Sequence, residues 1–170
     1  MNQKYMFDHE RNDEIILAEK LLKKCKVNNL MVATAESCTG GLIAVALTGI
    51  SGSSDVIERG FITYSNESKT ELLSVPEPMI ESHGAVSASV AKAMAEGALG
   101  NSRADIAISV TGIAGPGGGS EEKPVGLVYI CIARTGITTQ THKYLFGDIG
   151  RSKVRIATTK VALKLAFDAI

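Results

Sequence analysis

The stretch LMVATAESCTGGLIAVAL, residues 30–47, changes character at its midpoint. LMVATAE (30–36) is a short β-type run that stops abruptly at Ser37-Cys38-Thr39-Gly40-Gly41, and LIAVAL (42–47) reads as a buried helix closed by Gly49 and the turn-rich ISGSSD. A strand feeding a helix through a glycine turn is the building unit of an α/β fold. Upstream, DEIILAEKLLKKCK (13–26) is a helix with Leu17, Leu21 and Cys25 on one stripe, acids in its first turn, and a stop at Asn28-Asn29. Residues 1–12 read as a loose N-terminal arm.

Downstream, ERGFITYS (58–65) reads as a strand and NESKTELLS (66–74) as a short helix with Asn66 as its N-cap. The prolines of VPEP make a break, and Ser87 caps a small-residue helix, Ala88–Leu99, which Gly100-Asn101 ends. ADIAISVTG (104–112) is a strand that runs into the loop GIAGPGGGSEEKP. VGLVYICIA (125–133) and ITTQTHKYLF (137–146), joined around Thr135-Gly136, form a β-hairpin, and Arg151–Ala169 form the last helix. The expectation is one domain, residues 13–170: a three-layer α/β/α sandwich on a mixed, partly parallel sheet of about five strands that includes the C-terminal hairpin.

The chain of 170 residues suits a single domain of roughly 150. Its 45% hydrophobic and 21% charged residues are an ordinary globular mix, and 18 basic residues balance 18 acidic ones. Zero net charge and the lack of a basic aromatic strip argue against nucleic-acid binding. No apolar run approaches the ~18 residues of a membrane span. The polar N-terminus does not read as a signal peptide, so a cytoplasmic location is expected. Three well-separated cysteines without a CxxC suggest neither disulfides nor structural zinc. The scattered His9, His83 and His142 offer no metal or triad spacing. Charge is uneven along the chain. The last helix region carries Lys143, Arg151, Lys153, Arg155, Lys160 and Lys164 against Asp148 and Asp168, either a solvated face or an anion site near the helix start.

Three loops at strand ends can carry chemistry. In the first, Ser37 sits at a strand-to-helix junction. The helix N–H groups around Thr39, Gly40 and Gly41 can hold an anion or oxyanion there, unless Ser37 or Thr39 simply caps the helix. The segment is neither a P-loop nor a G-x-S-x-G elbow. Cys38 is a rival nucleophile, with no histidine nearby to form its thiolate. In the second, an Asn66 cap puts Lys69 at the third helical position, where the helix dipole disfavours its charge and lowers its pKa, more so if the amine is partly buried. A lysine neutralised that way can act as a base for a serine hydroxyl; otherwise it is a solvated side chain. Tyr64, at the strand end, can relay or orient a proton. In the third, Thr111, Gly112, Gly115 and Gly117 belong to a glycine-rich loop that is either a linker or a concave site of backbone N–H groups. Its pattern is not a dinucleotide fingerprint.

TAESCTGGLIA, GSSDVIERGFITYSNESK, GAVS and SVTGIAGPGGGSEEKPVGLVYI occur together in this order. The combination closely resembles the C-terminal domain of the competence/damage-inducible CinA proteins, whose stand-alone members are nicotinamide-nucleotide amidases of the PncC type. The resemblance covers about residues 13–168, and the chain is too short to add the pyrophosphatase-like N-terminal domain of full-length CinA. It implies hydrolysis of the carboxamide of nicotinamide mononucleotide, giving nicotinate mononucleotide and ammonia, without metal or organic cofactor. The family's nucleophile, lysine base and tyrosine match Ser37, Lys69 and Tyr64.

The substrate's phosphate needs an anchor. Arg151 and Arg155 share a face at the start of the last helix. Relatives seen with Gly-Asp-Arg followed by Val-Arg match Arg155 at the second arginine, while Arg151 is displaced by two positions, so both stay candidates. A regulatory domain that binds pyridine nucleotides without turnover is the alternative, and another amide substrate is a third. A two-fold homodimer is the default assembly.

Overall fold

The computed structural model describes residues 13–170, so the expected arm at 1–12 lies outside the described residues. The chain runs α1 (Asp13–Val27), β1 (Val32–Glu36), α2 (Leu42–Thr48), β2 (Ile57–Ile62), α3 (Asn66–Leu73), α4 (Glu77–His83), α5 (Ala88–Gly100), β3 (Ile106–Gly112), β4 (Leu127–Arg134), β5 (Ile137–Leu145) and α6 (Arg151–Asp168). The five strands lie in the order β2-β1-β3-β4-β5. β1 is parallel to both β2 and β3, and β4 is antiparallel to both of its neighbours, β3 and β5. The expected mixed sheet with its C-terminal hairpin is the observed one.

Alternation along the strands divides the core into two layers. Ile106, Ile108 and Val110 of β3 face Leu21 and Cys25 of α1, Ile43 and Leu47 of α2, and Val154 and Leu163 of α6. The opposite face is lined by small residues, Ala35, Ala107, Cys131 and Ala133, under Val90, Met94 and Ala98 of α5 and Leu73 and Ile80 of α3 and α4. Small side chains let α5 lie close to the sheet, where Ser109 Oγ donates to the Ala91 carbonyl at 2.6 Å.

Three local expectations change. The cap of α3 is Ser65, whose hydroxyl accepts from the Ser68 N–H, so Asn66 is the first helical residue and Lys69 moves to the fourth position. β2 ends at Ile62, leaving Thr63-Tyr64-Ser65 as a connector. The VPEP break contains the start of α4: Pro76 is its N-cap and Pro78 lies in its first turn, where a missing N–H costs nothing.

The loops that leave β1 and β3 diverge, one towards α2 and β2 and the other towards β4. A crevice therefore opens at the carboxyl ends of the parallel strands, the usual ligand position in such sheets. Among the described residues no helix is long and apolar enough to cross a membrane.

Candidate active site

The ladder between strands continues one residue past β1. Ser37 N–H donates to the Val110 carbonyl at 3.0 Å, and Thr63 N–H donates to the Glu36 carbonyl at 2.9 Å. These bonds hold the ends of β1, β2 and β3 side by side, with Ser37, Thr63 and Thr111 at the crevice. A pocket of about 230 Å³ lies there. Ser37, Cys38, Tyr64, Lys69, Thr111, Gly112 and Arg151 line it, together with Ala85, Val86 and Ala114. Ala85 and Val86 belong to the GAVS segment, to which the sequence reading gave no role in the site. Thr111 Oγ1 donates to the Ala85 carbonyl at 2.9 Å and fixes that wall.

Lys69 is 1% exposed. Its Nζ reaches Ser37 Oγ at 3.2 Å and donates to the carbonyls of Thr63 at 2.7 Å, Ser65 at 3.2 Å and Tyr64 at 3.4 Å. Burial holds this amine below the usual lysine range, against smaller opposing pulls from Cys38 and Glu67. The expected lowering is present, with burial as its largest cause. The connector Thr63–Ser65 turns three successive carbonyls onto one amine, a contribution that no residue-type pattern announces.

Cys38, at 6% exposure, is buried beside Ser37, and burial pushes its thiol up to about 12. A thiol held neutral is no rival nucleophile. Tyr64 is 60% exposed, and its hydroxyl accepts from Arg151 Nη2 at 2.8 Å. Among the described residues that hydroxyl makes no hydrogen bond to Ser37 or Lys69. Arg151 also donates to the Gly115 carbonyl at 3.0 Å, tying the glycine loop to the mouth of the pocket.

The start of α2 differs from expectation. Glu36, fully buried, accepts from the N–H groups of Gly41 and Ile43 with Oε2, both at 3.0 Å, and of Ala44 with Oε1 at 2.8 Å. Gly40 N–H donates to the Ser37 carbonyl at 3.1 Å. Gly40 and Gly41 are thus already engaged and are not anion ligands. Their role is conformational, with φ of 60° and 98° wrapping the turn. The N–H groups of Cys38 and Thr39 find no oxygen acceptor among the described residues and are directed at the Cys38 sulfur, one residue nearer the serine than the expected Thr39–Gly41 set; of the two residues only Cys38 lines the pocket.

Arg155 also departs from its candidate role. Its Nη2 donates to the Thr39 carbonyl at 2.7 Å from behind the turn, outside the pocket lining, so the arginine at the pocket is Arg151. Gly115 and Gly117 do not line the pocket either: Gly115 meets Arg151 with its carbonyl, and Gly117 is exposed in the loop. The residue that sequence reasoning missed is Glu36. Its signal was a carboxylate in line with buried Val32 and Thr34, one position before the glycine turn.

Comparison with known proteins shows the fold and the family of the chain. A protein of Caldicellulosiruptor bescii named for competence-damage inducibility is 51% identical over 162 residues, 95% of this chain and 38% of that protein. A CinA-like protein of Geobacter sp. (strain M21) is 47% identical over 160 residues, 94% of this chain and 37% of that protein. The chain therefore spans less than two fifths of the length of these curated relatives. The crystal structure of competence/damage inducible protein CihA from Agrobacterium tumefaciens superposes with a TM-score of 0.91 at 48% identity, covering 95% of this chain and 99% of that one. A CinA superfamily protein from Escherichia coli does so at 0.88 and 30% identity, covering 100% of this chain and 99% of that one. The CinA C-terminal domain matches residues 14–170, and the chain belongs to that family.

Proposed function

We propose that this domain is a serine–lysine amidohydrolase that cleaves the carboxamide of nicotinamide mononucleotide to nicotinate mononucleotide and ammonia. The observation that carries the reading is the 3.2 Å approach of a buried Lys69 amine to Ser37 Oγ, with no carboxylate beside the amine among the described residues to hold its proton.

In the neutral form, Lys69 keeps its N–H groups on the Thr63 and Ser65 carbonyls and turns its lone pair to the Ser37 hydroxyl. Lys69 takes the hydroxyl proton as Ser37 Oγ forms its bond to the carboxamide carbon. The negative charge on the carbonyl oxygen is met by the backbone N–H of Cys38, the residue after the serine and the one residue of 38–41 that lines the pocket, with Thr111-Gly112 forming the facing wall. Lys69 then passes its proton to the departing nitrogen, the C–N bond breaks, and ammonia leaves. Water adds to the acyl-enzyme by the same route in reverse. Arg151, held by the Tyr64 hydroxyl, anchors the 5′-phosphate at the mouth of the pocket. Tyr64 acts through that arginine and through its carbonyl on Lys69.

The test is ammonia release from nicotinamide mononucleotide by the purified, chelator-treated chain, with Ser37→Ala alongside. Ammonia from the wild type alone is the expected result. Saturable binding without ammonia from either protein would replace this reading by a non-catalytic nucleotide-binding domain.

A further inference from the structure

Two buried or half-buried charges lie against the Ser37 turn without facing the pocket. Glu36 is wholly buried and, among the described residues, forms no ion pair; its carboxylate accepts from the N–H groups of Gly41, Ile43 and Ala44. A buried carboxylate is costly, and a helix start is ordinarily capped by a Ser, Thr or Asp immediately before it. Here the cap comes from the strand residue on the far side of the turn, so the carboxylate joins the end of β1 directly to the start of α2. The five residues 37–41 are thereby closed into a loop.

Arg155 approaches the same turn from α6. Its guanidinium takes the Thr39 carbonyl, and a Cβ added to Gly40 would stand 3.4 Å from its Nη2. The turn is held by an acceptor on its N–H side and a donor on its C=O side. Ser37 N–H is fixed to Val110, which leaves the side-chain torsion as the serine's main freedom.

We propose that Glu36 and Arg155 are positioning residues, an oppositely charged clamp that sets Ser37 Oγ against Lys69 through the backbone alone. The inference rests on the reading of Ser37 as the nucleophile. Charge-assisted bonds are shorter and stiffer than neutral ones, and they serve a turn whose hydroxyl must meet an amine at bonding distance. Neither side chain touches substrate in this arrangement, so their loss acts on turnover and not on binding.

The experiment compares wild type, Glu36→Gln and Arg155→Met in the full chain. Glu36→Gln keeps the shape but sets an amide N–H₂ against backbone N–H groups. The readouts are kcat and KM on nicotinamide mononucleotide, the pH–rate profile, thermal unfolding, and the rate at which a fluorophosphonate labels Ser37, followed by intact mass. Displacement of a reacting atom by about 1 Å costs about 100-fold. The clamp therefore predicts that kcat and labelling fall together by about 10- to 100-fold, with KM and the acid limb of the pH profile unchanged. Folded variants that label and turn over like wild type, with only the melting temperature lowered, overturn the proposal, as does a rise in KM alone. If Glu36→Gln does not fold, Arg155→Met carries the same expectation. If the wild type labels at Ser37 yet releases no ammonia, the amidase reading fails while the labelling rates still decide the clamp. If it neither labels nor releases ammonia, Ser37 is no nucleophile and the clamp falls with it.

Discussion

Lys69 Nζ stands 3.2 Å from Ser37 Oγ, and its other hydrogen-bond partners are the carbonyls of Thr63, Tyr64 and Ser65. Such surroundings orient an amine without a carboxylate to lock its proton in place, which is what a general base requires. Lys69→Met should lower kcat for ammonia release by about 100- to 10,000-fold, the usual worth of a general base. The variant should stay folded by circular dichroism, because removing a buried amine relieves its desolvation cost and so offsets the lost bonds to the carbonyls. Lys69→Arg should be equally inactive, since a guanidinium keeps its proton. Activity retained in Lys69→Met would remove the lysine from the mechanism.

The lowered Lys69 pKa fixes the direction of two pH effects. Turnover depends on the neutral amine, so kcat/KM should rise with pH along a limb that Lys69 controls and fall as acid protonates it. Stability follows the same sign. In the window between the lowered folded pKa and the ordinary lysine value of 10.5, the unfolded chain binds more protons than the folded one. Raising the pH through that window therefore stabilises the fold, and below the folded pKa the full penalty of the buried charge is present. Urea titrations of wild type and Lys69→Met across this range should differ in slope, the variant lacking the lysine's contribution. Parallel slopes would refute it.

Cys38 is adjacent to Ser37, the proposed nucleophile, but is held as a buried neutral thiol. With its thiol pushed up to about 12 and its side chain buried, it should resist iodoacetamide in the native protein and react only after unfolding. Cys38→Ala should keep most of the activity, because a buried neutral thiol supplies neither a nucleophile nor a base. Native-state alkylation located at Cys38 by peptide mapping, with loss of turnover, would reopen it as a reacting group.

Arg151 and Arg155 separate cleanly by substrate. Arg151→Ala should raise KM for nicotinamide mononucleotide by about tenfold, near the lower end for a bond to a charged group because the arginine is exposed. The corresponding riboside, which lacks the phosphate, should show no such change. Equal losses on both substrates would mean that Arg151 holds Tyr64 and the glycine loop in place and does not bind phosphate.

The parts legible in the sequence were those set by local patterning. Alternation in residues 125–146 and the Thr135-Gly136 turn specified the hairpin, and the helical stripe Leu17, Leu21, Cys25 specified α1. Ser87 announced the start of α5 by its cap, and its hydroxyl indeed accepts from Val90 N–H. Ser65 and Asn66 are both good caps, so residue type alone did not settle the register of Lys69, and Pro76 and Pro78 read as a break though both fit a helix start. What escaped depends on long-range closure. The carbonyls of Thr63 and Ser65 carry no side-chain signature, and Arg155 meets the Thr39 carbonyl only once α6 packs behind the turn. Glu36 was hidden because a carboxylate at a strand end is ordinarily solvated.

Gly97 offers a test of the packing that brings α5 to the sheet. In an exposed helix interior, Gly→Ala stabilises by about 1 kcal/mol through backbone entropy and propensity. At Gly97 a Cβ would stand 1.8 Å from the Leu73 carbonyl oxygen at the end of α3, with the Leu73 carbonyl carbon at 2.8 Å, so backbone must move against backbone. Overpacking of this kind costs about 1–3 kcal/mol, which reverses the sign. Gly100, on the same helix, has nothing within 4 Å of its Cβ position, and Gly100→Ala should be neutral or stabilise by up to about 1 kcal/mol. Denaturant unfolding of the two variants should therefore move the midpoint in opposite directions. Because α3 also carries Lys69, the displacement in Gly97→Ala should reach the proposed Ser37–Lys69 pair and lower turnover at temperatures where the protein remains folded. A Gly97→Ala variant as stable as Gly100→Ala would show that α5 does not press on the α3 terminus in solution.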